Sequence, residues 1–226
     1  MEIEILYRPS YSLGIVKLAP NEQIRAEAGA MVSMSQGVTI ETKAAGGLLK
    51  SLGRAILGGE SFFQNFFIAP AQGGEITFAP ELPGDLFVLT LSNQKYFIQS
   101  GAFVACEIGV ELSAKLSLKA FMATEGFSML EASGSGKILL SSYGAIHEKV
   151  LNPGERYIVD STHLVAFEAN MPVQPKTIGG LKSTFLSGEG FVVEIGGPGR
   201  LLMQTRSQQA FLNWLIPKLP QSNSSS

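Results

Sequence analysis

The chain has 226 residues, of which 45% are apolar and 16% are charged, against about 25% charged residues in an ordinary soluble domain. Its 17 Lys and Arg against 19 Asp and Glu give a net charge of -2, which excludes a global basic field for nucleic acid, so we expect no DNA binding. One cysteine, Cys106, excludes an intramolecular disulfide, and two histidines leave little material for a zinc site. We therefore expect no metal and no cofactor.

The N-terminus is acidic where a signal peptide would be basic, and its alternation of Glu and Ile predicts a strand. The longest charge-free run, 61–74, contains Gln64, Asn65 and Pro70 and is shorter than the roughly 20 residues that span a bilayer. We expect a cytoplasmic protein that is at most peripheral to a membrane.

Apolar residues alternate with polar ones in short runs along the chain. Ile24 and Ala26 flank Arg25, and Val110 and Leu112 flank Glu111, which predicts half-buried strands. Because such runs are separated by Gly, Pro and Asn, the sequence predicts an all-β protein of the sandwich, barrel or β-helix kind.

The segment from Gly46 to Ile56 differs, because its apolar residues recur at helical spacing with cations on the opposite side. The helix face and its cations comprise Leu48, Leu49, Lys50, Leu52, Arg54 and Ile56. The glycine pairs at 46–47 and 58–59 mark its ends. This amphipathic helix covers one end of a β core, seals a subunit contact, or forms a membrane-surface element.

Three blocks recur in the same order along the chain, which predicts an internal triplication with about 75 residues per unit. The first block occurs at 20–32, 92–104 and 153–165, and the second opens at Glu60, Glu125 and Glu189. We expect repeat one with the helical insertion at 1–90, repeat two at 91–150, and repeat three at 151–220. The polar tail 221–226 has nothing to pack and is expected to be disordered.

A second helix is predicted at the end of repeat three. Gln208 to Leu215 carries Phe211, Leu212 and Trp214, and Pro217 stops the pattern.

Each second block leads to a glycine-rich turn, at 73–76, 134–138 and 197–201. Neither of the last two fits a nucleotide-binding pattern or opens a clear helix. We therefore expect tight hairpin turns there rather than phosphate cradles.

Nucleophilic catalysis has one local candidate, Asp160-Ser161-Thr162-His163. On a strand Ser161 and His163 share one face while Asp160 points to the other, so a relay fails. We expect no catalytic residue, and a protein that is not an enzyme. Cys106, at the end of an apolar run, is expected to be a small buried side chain.

One lysine and one glutamate recur in every repeat. The lysines are Lys43, Lys115 and Lys176, and the glutamates are Glu60, Glu125 and Glu189. A Lys and a Glu in each unit can pair at unit boundaries and fix their register. The alternative is an RNA site, because a cation repeated around a ring can follow a phosphate backbone. The absence of aromatic residues recurring beside the lysines argues against single-strand recognition.

The string Gly58-Gly59-Glu60-Ser61-Phe62-Phe63, with the order of the three repeats, resembles the uncharacterised family of the mitochondrial-biogenesis protein AIM24. The resemblance implies a fold similar to the tryptophan-RNA-binding attenuation protein (TRAP-like), built from units of the double-stranded β-helix type. It also implies that one chain holds three units and that three chains close a ring of nine. It brings no activity, cofactor or catalytic residue.

We therefore expect a non-enzymatic, ring-forming scaffold or binding protein whose partner is itself, as a homotrimer, because ring closure removes open sheet edges. The alternatives are an RNA-binding ring that uses the repeated lysines and a peripheral membrane organiser that acts through residues 46–56.

Overall fold

The computed structural model describes residues 1–44, 56–57, 60–61, 63–114, 129–176 and 192–220. Antiparallel strands dominate these residues, and one α-helix accompanies them. The all-β class predicted from the alternating pattern is confirmed.

The first group of strands contributes to two larger sheets, and its two shortest strands form a separate two-stranded sheet. Its members are β1 (Glu2–Leu6), β2 (Leu13–Leu18), β3 (Gln23–Glu27), β4 (Met31–Met34), β5 (Thr39–Ala44), β6 (Ile56–Leu57), β7 (Glu60–Ser61), β8 (Phe63–Ile68) and β9 (Gly74–Phe78). Strand β9 pairs with β2 and β4, and β1 extends this sheet beyond β2. Strand β8 pairs with β3 and β5 in the other sheet. The chain therefore changes sheet between β8 and β9.

The second group is organised around one long strand. Its members are β10 (Leu86–Ser92), β11 (Tyr96–Gln99), β12 (Phe103–Glu107), β13 (Val110–Ala114) and β14 (Met129–Ser141). The first half of β14 pairs with β11 and β13, and its second half pairs with β10 and β12.

The third group precedes the helix. Its members are β15 (Ile146–Leu151), β16 (Arg156–Asp160), β17 (Leu164–Glu168), β18 (Val173–Lys176), β19 (Val192–Gly196) and β20 (Gly199–Gln204). Strand β20 pairs with β15 and β17, while β19 pairs with β16 and β18.

Two strand pairs join the three groups. Strand β3 pairs with β12, where Ala26 lies opposite Ala105. Strand β11 pairs with β17, where Ile98 lies opposite Ala166. These two junctions create a continuous sheet of eleven strands.

The core follows the predicted alternation. Ile24 and Ala26 are buried, whereas Arg25 and Glu27 retain exposure. The rings of Phe67 and Phe78 pack edge to face in the first group, with centroids 5.7 Å apart. Three buried apolar clusters are each centred on one group and also contain residues of a neighbouring group, so burial is spread along the chain rather than gathered at one centre.

The predicted C-terminal helix is confirmed as α1 (Gln208–Leu215). Ser207 caps it, because its Oγ accepts a hydrogen bond from the Ala210 amide at 3.2 Å. Pro217 lies in a short 3₁₀ turn, Ile216–Lys218, that follows the helix. No helix in the described ranges is long and apolar enough to cross a membrane.

The predicted helix of residues 46–56 cannot include its last residue. Residues 46–55 lie outside the described residues, and Ile56 belongs to β6, paired with Ser61 of β7. Ile56 is β-branched, and β-branched side chains favour strands.

The prediction of hairpins at the glycine-rich turns is wrong. Residues 134–137 lie within β14, where Gly134 and Gly136 have φ of +91° and +142°. Residues 197–198 connect β19 to β20, which belong to different sheets. At 134–137 the long strand exchanges the partners β11 and β13 for β10 and β12, and at 197–198 the chain passes from one sheet to another. The flanking strands therefore pair with other strands and not with each other.

Candidate functional site

The junction between the first two groups places a half-buried arginine beside the single cysteine. Arg25 Nη2 donates to the Val110 carbonyl at 2.6 Å and lies 3.3 Å from Cys106 Sγ. Arg25 Nε is buried without a hydrogen-bond partner. Burial raises the pKa of the Cys106 thiol, and the nearby guanidinium only partly opposes this. The prediction of a small buried cysteine is confirmed.

The junction between the second and third groups combines a pair of aromatic rings with a polar cluster. The rings of Phe97 and Phe167 pack against each other at an interplanar angle of 48°, with centroids 5.5 Å apart. Beside them, Tyr96 Oη donates to Glu168 Oε1 at 3.3 Å and accepts a hydrogen bond from Arg200 Nε at 3.2 Å. Burial raises the pKa of the Tyr96 hydroxyl, and the Arg200 guanidinium opposes this without reversing it. The tyrosine therefore stays neutral and acts as a structural hydrogen-bond group.

One strand of the first group and one strand of the third group each have an unpaired edge. In the described part of the chain, β4 pairs only with β9, and β16 pairs only with β19. Their apolar side chains Val32, Met34, Tyr157 and Ile158 are exposed. An edge that presents open backbone groups beside apolar side chains is a template for addition of another strand.

A small cavity lies near β16. Its volume is about 110 Å³, and its lining includes Glu155, Arg156 and Glu194. Pockets for small molecules usually measure about 300–1,000 Å³, so this cavity is too small for a typical metabolite.

The structure gives Lys176 a partner other than the expected glutamate. Lys176 Nζ lies 3.0 Å from Glu194 Oε2, and Arg156 Nη1 donates to Glu194 Oε1 at 2.6 Å. The hydrogen bonds from Arg156 and Lys176 lower the pKa of Glu194. Sequence reasoning missed Glu194, although a single carboxylate in the run Val192-Val193-Glu194-Ile195 marks a strand with one polar position.

The other repeated charges are only partly described. Lys43 lies in β5 opposite Gln64, and Glu60 begins β7. Lys115, Glu125 and Glu189 lie outside the described residues. The pairing of repeated lysines with repeated glutamates therefore stays a prediction.

Most of the predicted partner helix and part of the family string are also outside the described residues. This holds for Leu48, Leu49, Lys50, Leu52, Arg54, Gly58, Gly59 and Phe62. Of the string, Glu60 and Ser61 form β7, and Phe63 begins β8.

The segment of triad residue types is a capped turn. Residues Ser161–His163 form a 3₁₀ turn rather than the expected strand, because Asp160 Oδ1 accepts hydrogen bonds from the amide and hydroxyl of Thr162 at 2.9 and 2.8 Å. His163 Nδ1 lies 2.7 Å from the Gln204 carbonyl oxygen. Asp160 thus engages Thr162 instead of orienting His163, and this arrangement is not a catalytic relay.

No group of three or more His, Cys, Asp or Glu side chains within the described ranges is arranged to hold a metal ion.

Comparison with known proteins gives a family, a relative and a fold. A family model described as mitochondrial biogenesis AIM24 matches residues 3–206. An uncharacterised protein of Streptococcus pyogenes serotype M6 is 25% identical over 217 residues, which cover 92% of this chain and 87% of that protein. A crystal structure of a Streptococcus pyogenes protein, 24% identical, superposes with a TM-score of 0.80 over 96% of this chain and 99% of that chain.

Proposed function

The chain belongs to the mitochondrial biogenesis AIM24 family, and from this premise we propose that it is a non-enzymatic scaffold whose three repeated units assemble with other copies into a homotrimeric ring. The observation that carries the proposal is the pair of unpaired edges, β4 and β16. Their counterparts in the proposed repeats are the strands that already pair with each other at the two internal junctions.

The strand pairings support the triplication. Strand β9, the second half of β14, and β20 each pair with two partners, which are β2 and β4, β10 and β12, and β15 and β17 respectively. Strand β8, the first half of β14, and β19 likewise pair with β3 and β5, β11 and β13, and β16 and β18. On this proposal the units meet within 79–85 and 142–145, several residues before the boundaries expected from the sequence.

A shared irregularity also supports the triplication. A register shift interrupts the pairing of the β4, β12 and β17 strands at Met31/Ser33, Phe103/Ala105 and Leu164/Ala166. Bulges are typically retained features of a fold rather than accidents, so three bulges at matching places favour a common unit.

One hydrogen bond recurs at the same places. In each proposed unit, a backbone amide of β9, β14 or β20 donates to a side chain at the end of β4, β12 or β17, or just after it. The three donor and acceptor pairs are Glu75 with Ser35, Lys137 with Glu107, and Arg200 with Glu168, at 2.9, 2.9 and 3.1 Å.

Because the two ends are different, contacts between copies on this proposal are head to tail. A head-to-tail contact between unlike edges closes if the rotation per unit divides a full turn, and otherwise grows into a filament. The resemblance to TRAP-like units of the double-stranded β-helix type, with nine units in a ring, favours closure by three chains.

The test is the mass of the assembly in solution. Native mass spectrometry and light scattering are expected to give three times the chain mass of 24.1 kDa. A monomer at micromolar concentration would overturn the proposal.

RNA binding remains the second candidate, because Lys43 and Lys176 fall at matching places in β5 and β18. Lys176 is partly neutralised by Glu194. Filter binding of a random RNA pool over a salt series tests this candidate: it requires binding at low salt that is lost when Lys43, Lys115 and Lys176 are replaced by alanine.

The membrane candidate rests on residues 46–56. It requires co-sedimentation with anionic liposomes that is lost when Lys50 and Arg54 are replaced by glutamate.

A further inference from the structure

We propose that β4 of one copy pairs antiparallel with β16 of the next copy in a defined register, and that Glu75 of the first copy meets Lys149 of the second. The proposal rests on the proposed assembly and specifies its contact. The expected opposite pairs are Ser33 with Val159, Met34 with Ile158, and Ser35 with Tyr157.

The proposed register is that of the two internal junctions, which pair equivalent residues in the same way. At the first, Ala105, Cys106 and Glu107 lie opposite Ala26, Arg25 and Ile24. At the second, Ala166, Phe167 and Glu168 lie opposite Ile98, Phe97 and Tyr96. In both, pairing starts at the residue that follows the register shift, Ala105 or Ala166. The corresponding residue of β4 is Ser33.

Burial shows which side of β4 lacks a neighbour. Val32 is 57% exposed, whereas its counterparts Val104 and Val165 are 2% and 0% exposed. Met34 is 41% exposed, although Cys106 is fully enclosed at the matching place. The internal junctions cover these positions with a strand, and β4 presents the same apolar positions uncovered.

The edge of β16 has the complementary deficit. Tyr157 is 37% exposed, whereas its counterpart Tyr96, covered by β17, is 2% exposed. Ile158, which matches Phe97, whose ring packs against Phe167, is 53% exposed. A second copy of this chain supplies the apolar strand that both edges lack.

Charge distinguishes this contact from the internal ones. At the second junction Arg200, on the incoming strand group, bonds the hydroxyl of Tyr96. The residue matching Arg200 in the first group is Glu75, and Tyr157 matches Tyr96. Lys149 Nζ lies 4.7 Å from the centre of the Tyr157 ring. In the proposed contact, the cation beside the tyrosine belongs to the copy that carries β16. Glu75 of the copy that carries β4 approaches that cation.

Lys149 itself occupies a position that the other groups fill with apolar core residues. It lies opposite Leu201, as Leu89 lies opposite Ile138 and Val16 opposite Ile76. Leu89 and Val16 are fully buried. A lysine at this place is suited to a contact that must find an acidic partner rather than to a closed core.

Cysteine cross-linking tests the register. In a full-length Cys106→Ala chain, Met34→Cys combined with Ile158→Cys is expected to give covalently linked dimers and trimers under mild oxidation, because opposite Cβ atoms in an antiparallel pair lie about 4.5–5.5 Å apart. The matched control combines Met34→Cys with Tyr157→Cys, since a slip of one residue turns the side chain to the other face.

The outcomes separate the two proposals. A wild-type chain that is monomeric overturns the assembly. A trimer in which the Met34/Ile158 pair does not cross-link, or cross-links no better than the control pair, overturns this register alone. Circular dichroism of each variant establishes that it is folded.

Charge exchange tests the Glu75 and Lys149 contact. Glu75→Lys and Lys149→Glu are each expected to raise the concentration at which trimers dissociate by about fivefold, and the double variant is expected to restore it. The control, Glu111→Lys, changes an exposed carboxylate of β13 and is expected to leave dissociation unchanged. Additive effects in the double variant would overturn the contact.

Discussion

Arg8 and Asp85 form a bidentate ion pair, in which Arg8 Nε and Nη2 donate to Asp85 Oδ1 and Oδ2 at 2.9 and 2.8 Å. The Asp85 side chain is buried, whereas half of the Arg8 side chain is exposed. Ser12 Oγ and the Leu86 amide also donate to Asp85 Oδ1, at 2.9 and 2.8 Å. This carboxylate therefore ties the connection before β2 to the start of β10.

We expect Asp85→Ala to lower the free energy of unfolding by about 2–4 kcal/mol, because it removes the acceptor of four hydrogen bonds, two of them charged, and leaves buried donors without partners. Urea denaturation measures the change. The control is Glu81→Ala, which removes an exposed carboxylate from the segment between β9 and β10 that also contains Asp85. This variant is expected to change stability by less than about 0.5 kcal/mol. Equal effects of both variants would contradict the buried role of Asp85.

The same carboxylate makes stability depend on pH. Burial alone would raise the pKa of Asp85, but the hydrogen bonds from Arg8, Ser12 and Leu86 outweigh it, and the pKa lies below its ordinary value of 3.8. Because the folded-state pKa is lowered, the contribution of the carboxylate is complete above the ordinary value and is lost as the pH falls through the folded-state value.

We therefore expect the stability gap between the wild type and Asp85→Asn to be constant near neutral pH and to narrow below about pH 4. Urea titrations of both chains between pH 7 and pH 2.5 measure the gap. A gap that stays constant or widens in acid would contradict the assignment.

Gly84 allows two chain segments to touch. Gly84 forms an isolated β-bridge with Gly144. A Cβ atom at Gly84 would lie 1.6 Å from the Ser142 carbonyl oxygen. Gly84→Ala is expected to cost about 2–3 kcal/mol, because backbone must move to admit the methyl group. Gly101→Ala is the matched control, since nothing lies within 4 Å of the added atom. Thermal unfolding of the two variants compares them, and a similar midpoint for both would contradict the prediction.

Cys106 is expected to be unreactive in the folded chain. It is buried, and burial raises the pKa of its thiol, so both access and the thiolate fraction are low. Labelling with an aromatic disulfide reagent at pH 8 is expected to proceed only after denaturant is added. The control is a Cys106→Ala chain with Ile108→Cys, an exposed position two residues away, which is expected to react at once. Rapid labelling of native Cys106 would show that the junction opens readily.

Local patterns predicted those parts of the fold that depend on neighbours in sequence. Alternation around Ile24 and Ala26 predicted strands with one buried face, and helical spacing with a following proline predicted Gln208–Leu215. Both succeed because the period of an amphipathic element is written in the order of its own residues. The sequence also carried the family resemblance, and the family model matches residues 3–206.

Partners distant in sequence were decided by the tertiary structure. The glycine-rich segments look like hairpin turns, but which strand each flanking segment joins depends on competition among all strands. Residues 134–137 lie inside one long strand that changes partners, and residues 197–198 join strands of different sheets. Glu194 meets Lys176 and Arg156 for the same reason, across three different strands. The sequence by itself determined the strand character and the C-terminal helix. Only the tertiary structure decided which charges meet and that the apolar edges of β4 and β16 are uncovered. The reason is that hydrogen bonding between strands is set by long-range register and not by local propensity.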